Sequence, residues 1–323
     1  MRSLFIKTVV WMLFAILFVM ACACCDETES AASTGASDAS VVNSMLPSIT
    51  MGLETYVGGS SMLGARSYTD GMWAGCGNYY PSIAYMEYGS SGGRVAKLSL
   101  GIGELYTADD TTLDQPVEAY FQTPVGKSVV TVGKYWVPFA QQEWLYESKP
   151  GIMVGWDVKR LSLTASANYS EGLRRPVMYL RSGYKLSEDV QLGLSLALGR
   201  GFCSDSIHDR GMGLDATIGY KGWRFYGECN HFAAREPGND FDYVSGKLCY
   251  EKLGRWAPFV GAYSWTDKSD TFGRFRSTVY GLAYHATPEL DIESAVAPTS
   301  DGSVSWLQVR WSWQKSFPPR WSW

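Results

Sequence analysis

Histidine is almost absent from this chain: His208, His231 and His285 are the only three in 323 residues. A strong charge of either sign is absent too. The 28 basic side chains against 32 acidic ones leave a net charge of -4 and form no basic patch, so a nucleic-acid partner is not expected. Beyond the first twenty residues there is no apolar run of about 18 or more, which excludes a helical membrane span from the mature chain. Of the seven cysteines, Cys22, Cys24 and Cys25 crowd near the N-terminus, and Cys76, Cys203, Cys229 and Cys249 are scattered. None has metal-ligand spacing, so neither a metal nor another cofactor is expected. A loop disulfide between Cys76 and Cys203 has no support beyond a permissive compartment. Cys229 and Cys249 fall in opposite phases of their segments, which argues against a bond between them. Gly101-x-Gly103 and Gly211-x-Gly213 lack a third spaced glycine and lie inside alternating segments. They read as small residues on a strand, not as phosphate loops. His208-Asp209 falls in a connection with no activated serine beside it. The chain is therefore not expected to be an enzyme.

What the chain does have is alternation. In Val190 to Gly199, the residues Val190, Leu192, Leu194, Leu196 and Leu198 are aliphatic. Those between them, Gln191, Gly193, Ser195, Ala197 and Gly199, are small or polar. A period of two sends the sets to opposite faces of a strand. A soluble sandwich strand turns a charged face outward. This one turns a narrow, small-residued face, which fits lipid on one side and pore water on the other.

The first residues read as an export leader. Arg2 and Lys7 precede the apolar run Thr8 to Met20, and Ala21-Cys22-Ala23 follows as a small-residue cleavage site. Cleavage after Ala23 is one reading. The other is lipidation of Cys22, since Val19 to Cys22 loosely matches a lipobox. Residues 1–23 are thus taken as a signal peptide. Residues 24–46, acidic and rich in Ser and Ala, are taken as a disordered segment. Residues 47–323 are taken as one all-β domain: a single transmembrane antiparallel up-and-down β-barrel.

From Ile49 onward the alternating segments run about nine or ten residues, the length of a tilted membrane strand. Sixteen are expected, and 14 or 18 stay open because Val129 to Trp136 and Trp256 to Ser264 read in either phase. Connections alternate between short (GSSGG, TPVGK, KR, LSED, KG, EKLG, TPE) and long. That is the rhythm of short periplasmic turns and longer outer loops. Tyr88, Tyr106, Trp136, Trp156, Tyr169, Tyr184, Tyr220, Trp223, Tyr250, Trp256 and Tyr284 stand near segment ends, as two interfacial girdles would require.

The last strand, WLQVRWSW, and the final Trp321-Ser322-Trp323 resemble the aromatic-terminated end of bacterial outer-membrane proteins. With this pattern, the chain after residue 48 resembles a porin. Pro318-Pro319 departs from that pattern by separating the last strand from Trp323, so Trp311 and Trp313 are alternative carriers of the terminal signal. The resemblance implies location in the bacterial outer membrane and contact with its lipids. It also implies insertion by the barrel-assembly machinery, passive diffusion of small solutes or ions, and a homotrimer as one assembly. Read from the alternation, the inward charges are Glu54, Glu87, Glu118, Asp157, Asp215, Glu228, Asp291 and Glu293 against Lys97, Arg181, Arg224, Lys247 and Arg310. Eight acids against five bases point to a weak cation preference. In the loop Phe139 to Pro150, Glu143, Glu147 and Lys149 are candidates for a constriction, although a dozen residues is short for one. A surface adhesin or anchor, or a hydrolase with a site at the barrel rim, are the alternatives to a channel.

Overall fold

The structure is a computed structural model. It describes residues 48–317 except 61–63, 69–70, 73–78, 81, 91, 103–115, 141–146, 171–172, 203–206, 237, 269–273 and 300–301. The leader, the acidic segment, Cys22, Cys76, Cys203, Tyr106, Glu143 and the Pro318–Trp323 tail therefore lie outside the described residues.

Sixteen strands close into one antiparallel barrel, and the described residues contain no helix. In chain order they are β1 (Ser48–Ser60), β2 (Ser82–Gly89), β3 (Val95–Ile102) and β4 (Glu118–Val125). Next come β5 (Ser128–Trp136), β6 (Ser148–Val158), β7 (Leu161–Ser170) and β8 (Arg175–Lys185). They are followed by β9 (Val190–Leu198), β10 (His208–Tyr220), β11 (Trp223–Ala234) and β12 (Phe241–Tyr250). The last four are β13 (Trp256–Asp267), β14 (Arg274–Thr287), β15 (Leu290–Thr299) and β16 (Gly302–Phe317). Each strand pairs with the next, and β1 closes on β16 from Ile49↔Phe317 to Ser60↔Trp306. Closure removes the sheet edges, whose unpaired backbone groups hydrocarbon would not tolerate. The short strand Gly64–Tyr68 pairs antiparallel with the end of β1, and Gly71–Met72 pairs with Tyr79–Tyr80 as a separate ribbon. The alternating segment Tyr80 to Tyr88, expected as the second strand, therefore begins at Ser82 in the barrel, with Tyr80 in that ribbon.

The alternation sorts the faces as expected. On β9, Leu198 is 55% exposed, while its neighbour Ala197 and nearby Ser195 are fully buried. Leu194 lies opposite Leu214, and Leu196 opposite Met212, so the aliphatic set continues across strands on the outside. The two ambiguous segments also resolve. Val130 and Val132 belong to the outward set opposite Thr131 and Tyr135. On β13, Trp256 and Val260 face outward, and Ala257 and Phe259 inward.

One barrel end carries tight turns. Tyr220 faces Trp223 across Lys221-Gly222, both at positive φ (49° and 96°). Two left-handed residues in a two-residue loop make a type I′ turn, whose twist matches the strands it joins. The opposite end carries the longer connections, with two exceptions: Ser170 lies opposite Arg175 and Thr299 opposite Gly302, so those two hairpins are short there too.

The aromatic girdles are unequal. Tyr88, Trp156, Tyr184, Tyr220, Trp223, Tyr250, Trp256 and Tyr284 all face outward at the short-turn end, with Trp223 against Tyr250 at 4.9 Å and Trp256 against Tyr284 at 4.5 Å between ring centres. At the long-loop end, only Trp136 and Tyr169 of the expected set stand outward among the described residues. Cys229 and Cys249 face opposite ways and are both free thiols.

Candidate functional site: the barrel lumen

Every residue of the expected inward set shares the inner face, because cross-strand register links them in rows. Glu87 lies opposite Lys97, and Ser99 opposite Glu118. Arg181 lies opposite Ser195, Asp215 opposite Glu228, and Asp291 opposite Arg310. The five bases are all engaged. Lys97 meets Glu118 at 2.7 Å, and Arg181 grips Asp215 with two bonds of 2.6 and 2.8 Å. Lys247 reaches Glu293 at 3.4 Å and stands 4.0 Å from the Phe259 ring centre. Arg310 bonds Glu54 at 2.9 Å and approaches Asp291 at 3.5 Å, and Asp291 also holds the His285 ring at 2.7 Å. Arg224 turns instead to Glu251, in the turn after β12, at 3.0 Å.

Three of the acids are wall residues. Glu118, Asp215 and Glu228 are buried, and Glu228 accepts a bond from Asn230. Glu87 and Asp157 remain inward without a salt bridge among the described residues, and Asp157 is exposed.

The loop after β5 enters the barrel at once. Val137 and Phe139 are fully buried, and the Ala140 N–H donates to Ser195 Oγ on the far strand β9 at 2.9 Å. Ser195 Oγ also accepts from Arg181 at 3.1 Å, so the loop backbone, the hydroxyl and the Arg181–Asp215 pair form one chain. Room for the loop comes from glycine. A Cβ on Gly213 would stand 2.6 Å from Asn230 Oδ1, 3.1 Å from Phe139 and 3.2 Å from Ala140. One on Gly211 would stand 2.8 Å from the Phe202 ring. Lys149 belongs to β6 and not to the loop, and it pairs with Glu147 at the strand's entry. The expected constriction charges are thus only partly loop residues, because the strand starts at Ser148, earlier than its pattern suggests.

Around the loop the lumen is apolar. Phe139 and Phe202 both pack on Phe232, at 5.9 and 5.3 Å between ring centres, and Phe232 stacks on Phe241. Tyr179 joins them and donates its hydroxyl to Phe202 O at 2.7 Å. A second cluster, Cys249, Phe259, Tyr263, Val279, Ala295 and Ala297, continues this surface, with Trp265 packed against both. The long-loop half of β8 to β12 and the inner face of β13 to β15 next to it are therefore an apolar core, with the charged pairs of these strands beside it. There aromatic side chains occupy the space left opposite Ala197, Gly211 and Gly213.

The remaining sector is polar. Thr50 bonds Ser316 at 2.9 Å, and Tyr85 donates to Gln314 at 3.2 Å. At the short-turn end of β6 to β10, away from the core, a cavity of about 540 Å³ opens between Asp157, Ser162, Arg181, Lys185, Gln191 and Thr217. No group of His, Cys, Asp and Glu suited to a metal ion occurs among the described residues.

No protein-family model and no curated protein sequence matches the chain. Solved structures do. The in-vitro folded trimer form of OmpT, an outer membrane protein of Vibrio cholerae, aligns over 83% of this chain and 99% of its own at a TM-score of 0.57 and 8% identity. Its loop L8 deletion mutant aligns equally well, at 9% identity. A variant of the Rh. blastica porin aligns over 83% of this chain and 100% of its own, at a TM-score of 0.55 and 12% identity. The chain therefore has the fold of a porin-like outer-membrane barrel, and at these identities the likeness concerns the fold alone.

Proposed function

We propose that the protein is an outer-membrane channel for passive diffusion of small hydrophilic solutes or ions, weakly preferring cations, and not an enzyme. The observation that carries this reading is a closed barrel of sixteen strands whose inner wall keeps a polar sector while its outer wall is aliphatic. Sixteen strands leave room for water, where about eight would be filled by side chains. The conducting path runs off-axis, along the polar wall from β16 through β1 to β7. The cation preference is supported by Glu87 and Asp157, inward acids that make no salt bridge among the described residues, while each of the five expected inward bases meets a carboxylate. Such a preference comes from fixed wall charge acting on passing ions.

In this reading the leader directs export, either with cleavage after Ala23 or with lipidation of Cys22, and residues 24–46 are a disordered periplasmic segment. The short turns face the periplasm, and the barrel-assembly machinery inserts the chain. A homotrimer is the proposed assembly, in line with the trimer form of the Vibrio cholerae protein.

The test is single-channel recording of the refolded barrel in a planar bilayer. Discrete conductance steps and a reversal potential of cation sign in a salt gradient are expected. Anion sign rejects the selectivity.

One observation favours a second reading. The apolar core from β8 to β15 suits a plugged barrel serving as a surface anchor. Liposome swelling separates the two, since a channel admits small sugars and a plugged anchor does not.

A further inference from the structure

Two arginines stand where a membrane strand has reason to avoid them. Arg274 and Arg276 lie opposite Thr266 and Ser264 in the outward phase of β14, while Ser277 and Val279 are buried on its inner face. Both arginines are exposed, and neither makes an ion pair among the described residues. A guanidinium on the lipid face costs about 2–4 kcal/mol at mid-bilayer and about 0–1 kcal/mol at the boundary. Their height follows from the register. Trp256, in the short-turn girdle, is on the same strand as Ser264 and Thr266. At about 3.3 Å per residue and a tilt of about 45°, those two levels are roughly 19 and 23 Å above it. The apolar band is about 25 Å tall. Arg274 thus stands at the headgroup boundary of the leaflet on the long-loop side, and Arg276 roughly 6 Å below it, a depth from which a long guanidinium side chain reaches the boundary.

Directly beneath them the outer wall is hollow. A groove of about 580 Å³ has Ala262, Ser264 and Thr278 for a floor, Val244 and Tyr280 for walls, and Arg276 at its upper end. An acyl chain fits the chemistry of such a floor, and a phosphate fits the guanidinium pair, which offers several fixed donors. We infer that this face binds one anionic phospholipid or glycolipid of the leaflet on the long-loop side. Arg274 and Arg276 take the phosphate, and one acyl chain lies in the groove. The inference rests on the barrel spanning a membrane and not on its conducting anything.

The full chain, refolded in zwitterionic micelles, is titrated with phosphatidylglycerol, with phosphatidylcholine of the same chains, and with inorganic phosphate. Bound lipid is counted by native mass spectrometry, and folding is scored by heat-modifiable mobility. Phosphatidylglycerol is retained at least tenfold better than phosphatidylcholine. Arg274→Gln with Arg276→Gln removes that preference, and Ala262→Phe, which fills the groove, lowers retention with the charge intact. Equal retention of the two lipids by the parent overturns the site, and this arm needs no variant to fold. Retention of inorganic phosphate as strong as that of phosphatidylglycerol overturns the acyl seat. An oligomer that Ala262→Phe dissociates irrespective of lipid assigns the face to a second copy of the chain and overturns the proposal. A chain that forms no barrel in micelles fails the spanning reading instead, and a barrel that binds the lipid without conducting fails only the channel reading.

Discussion

Ala140 and Ser195 are 55 residues apart in sequence, and the backbone N–H of the first donates to the hydroxyl of the second at 2.9 Å. Ser195 is fully buried, and its oxygen also accepts from Arg181, so a single hydroxyl joins the inward loop to the charged wall. Replacing it leaves a buried N–H without a partner and loosens the guanidinium that neutralises Asp215.

Ser195→Ala is therefore expected to cost about 1–3 kcal/mol of barrel stability, the penalty of an unsatisfied buried donor. Denaturant unfolding of the parent and variant in the same detergent measures it. A loss below about 0.5 kcal/mol means that the loop does not depend on this bond.

Gly213 tests the same loop by space and not by bonding. A valine there meets Phe139, Ala140 and Asn230 at once, so the loop has to leave. In a background with all seven native cysteines replaced by serine, Ala140→Cys is expected to react slowly with a soluble maleimide, because Ala140 is only 6% exposed. Adding Gly213→Val is expected to raise that rate at least tenfold. Equal rates would show that the loop is seated by something other than the glycine gap.

The barrel was legible in the sequence because two solvents impose a period of two on almost every strand. Leu192, Leu194, Leu196 and Leu198 alternate with Gly193, Ser195 and Ala197, and no other short-range structure separates those sets so cleanly. The inward charges were legible for the same reason. Their partners were not, since Lys97–Glu118 and Lys247–Glu293 are set by register across neighbouring and more distant strands. Least legible was the apolar core. Tyr179, Phe232, Phe241 and Tyr243 fall in the inward phase, and that is the signal a reader could have used. What they pack against, Phe139 and Phe202, comes from connections whose path no local pattern dictates.

The outward face should show depth dependence. Leu194 is at the middle of β9 and Leu198 at its long-loop end, opposite Arg210. Leu194→Arg is expected to cost about 2–4 kcal/mol in lipid vesicles, and Leu198→Arg about 0–1 kcal/mol. Reversible unfolding from vesicles provides both values. Equal costs would mean that β9 does not cross a bilayer in the direction its alternation implies.

Selectivity offers the sharpest division between wall charge and wall structure. Glu118 and Asp215 are buried and salt-bridged, so they contribute little free field to a passing ion. Glu87 and Asp157 make no salt bridge among the described residues. If the channel prefers cations, Glu87→Gln with Asp157→Asn should move the reversal potential in a salt gradient most of the way to zero while conductance steps persist. Glu118→Gln should instead disturb the wall, because it strips Lys97 of its carboxylate, and any change in selectivity should come with a loss of stability. The shift for the double variant should also shrink as salt rises, since the Debye length falls from about 10 Å at 0.1 M to about 3 Å at 1 M. A reversal potential that ignores Glu87 and Asp157 at low salt would place the selective charge elsewhere on the wall, and the count of eight acids against five bases would then have no bearing on transport.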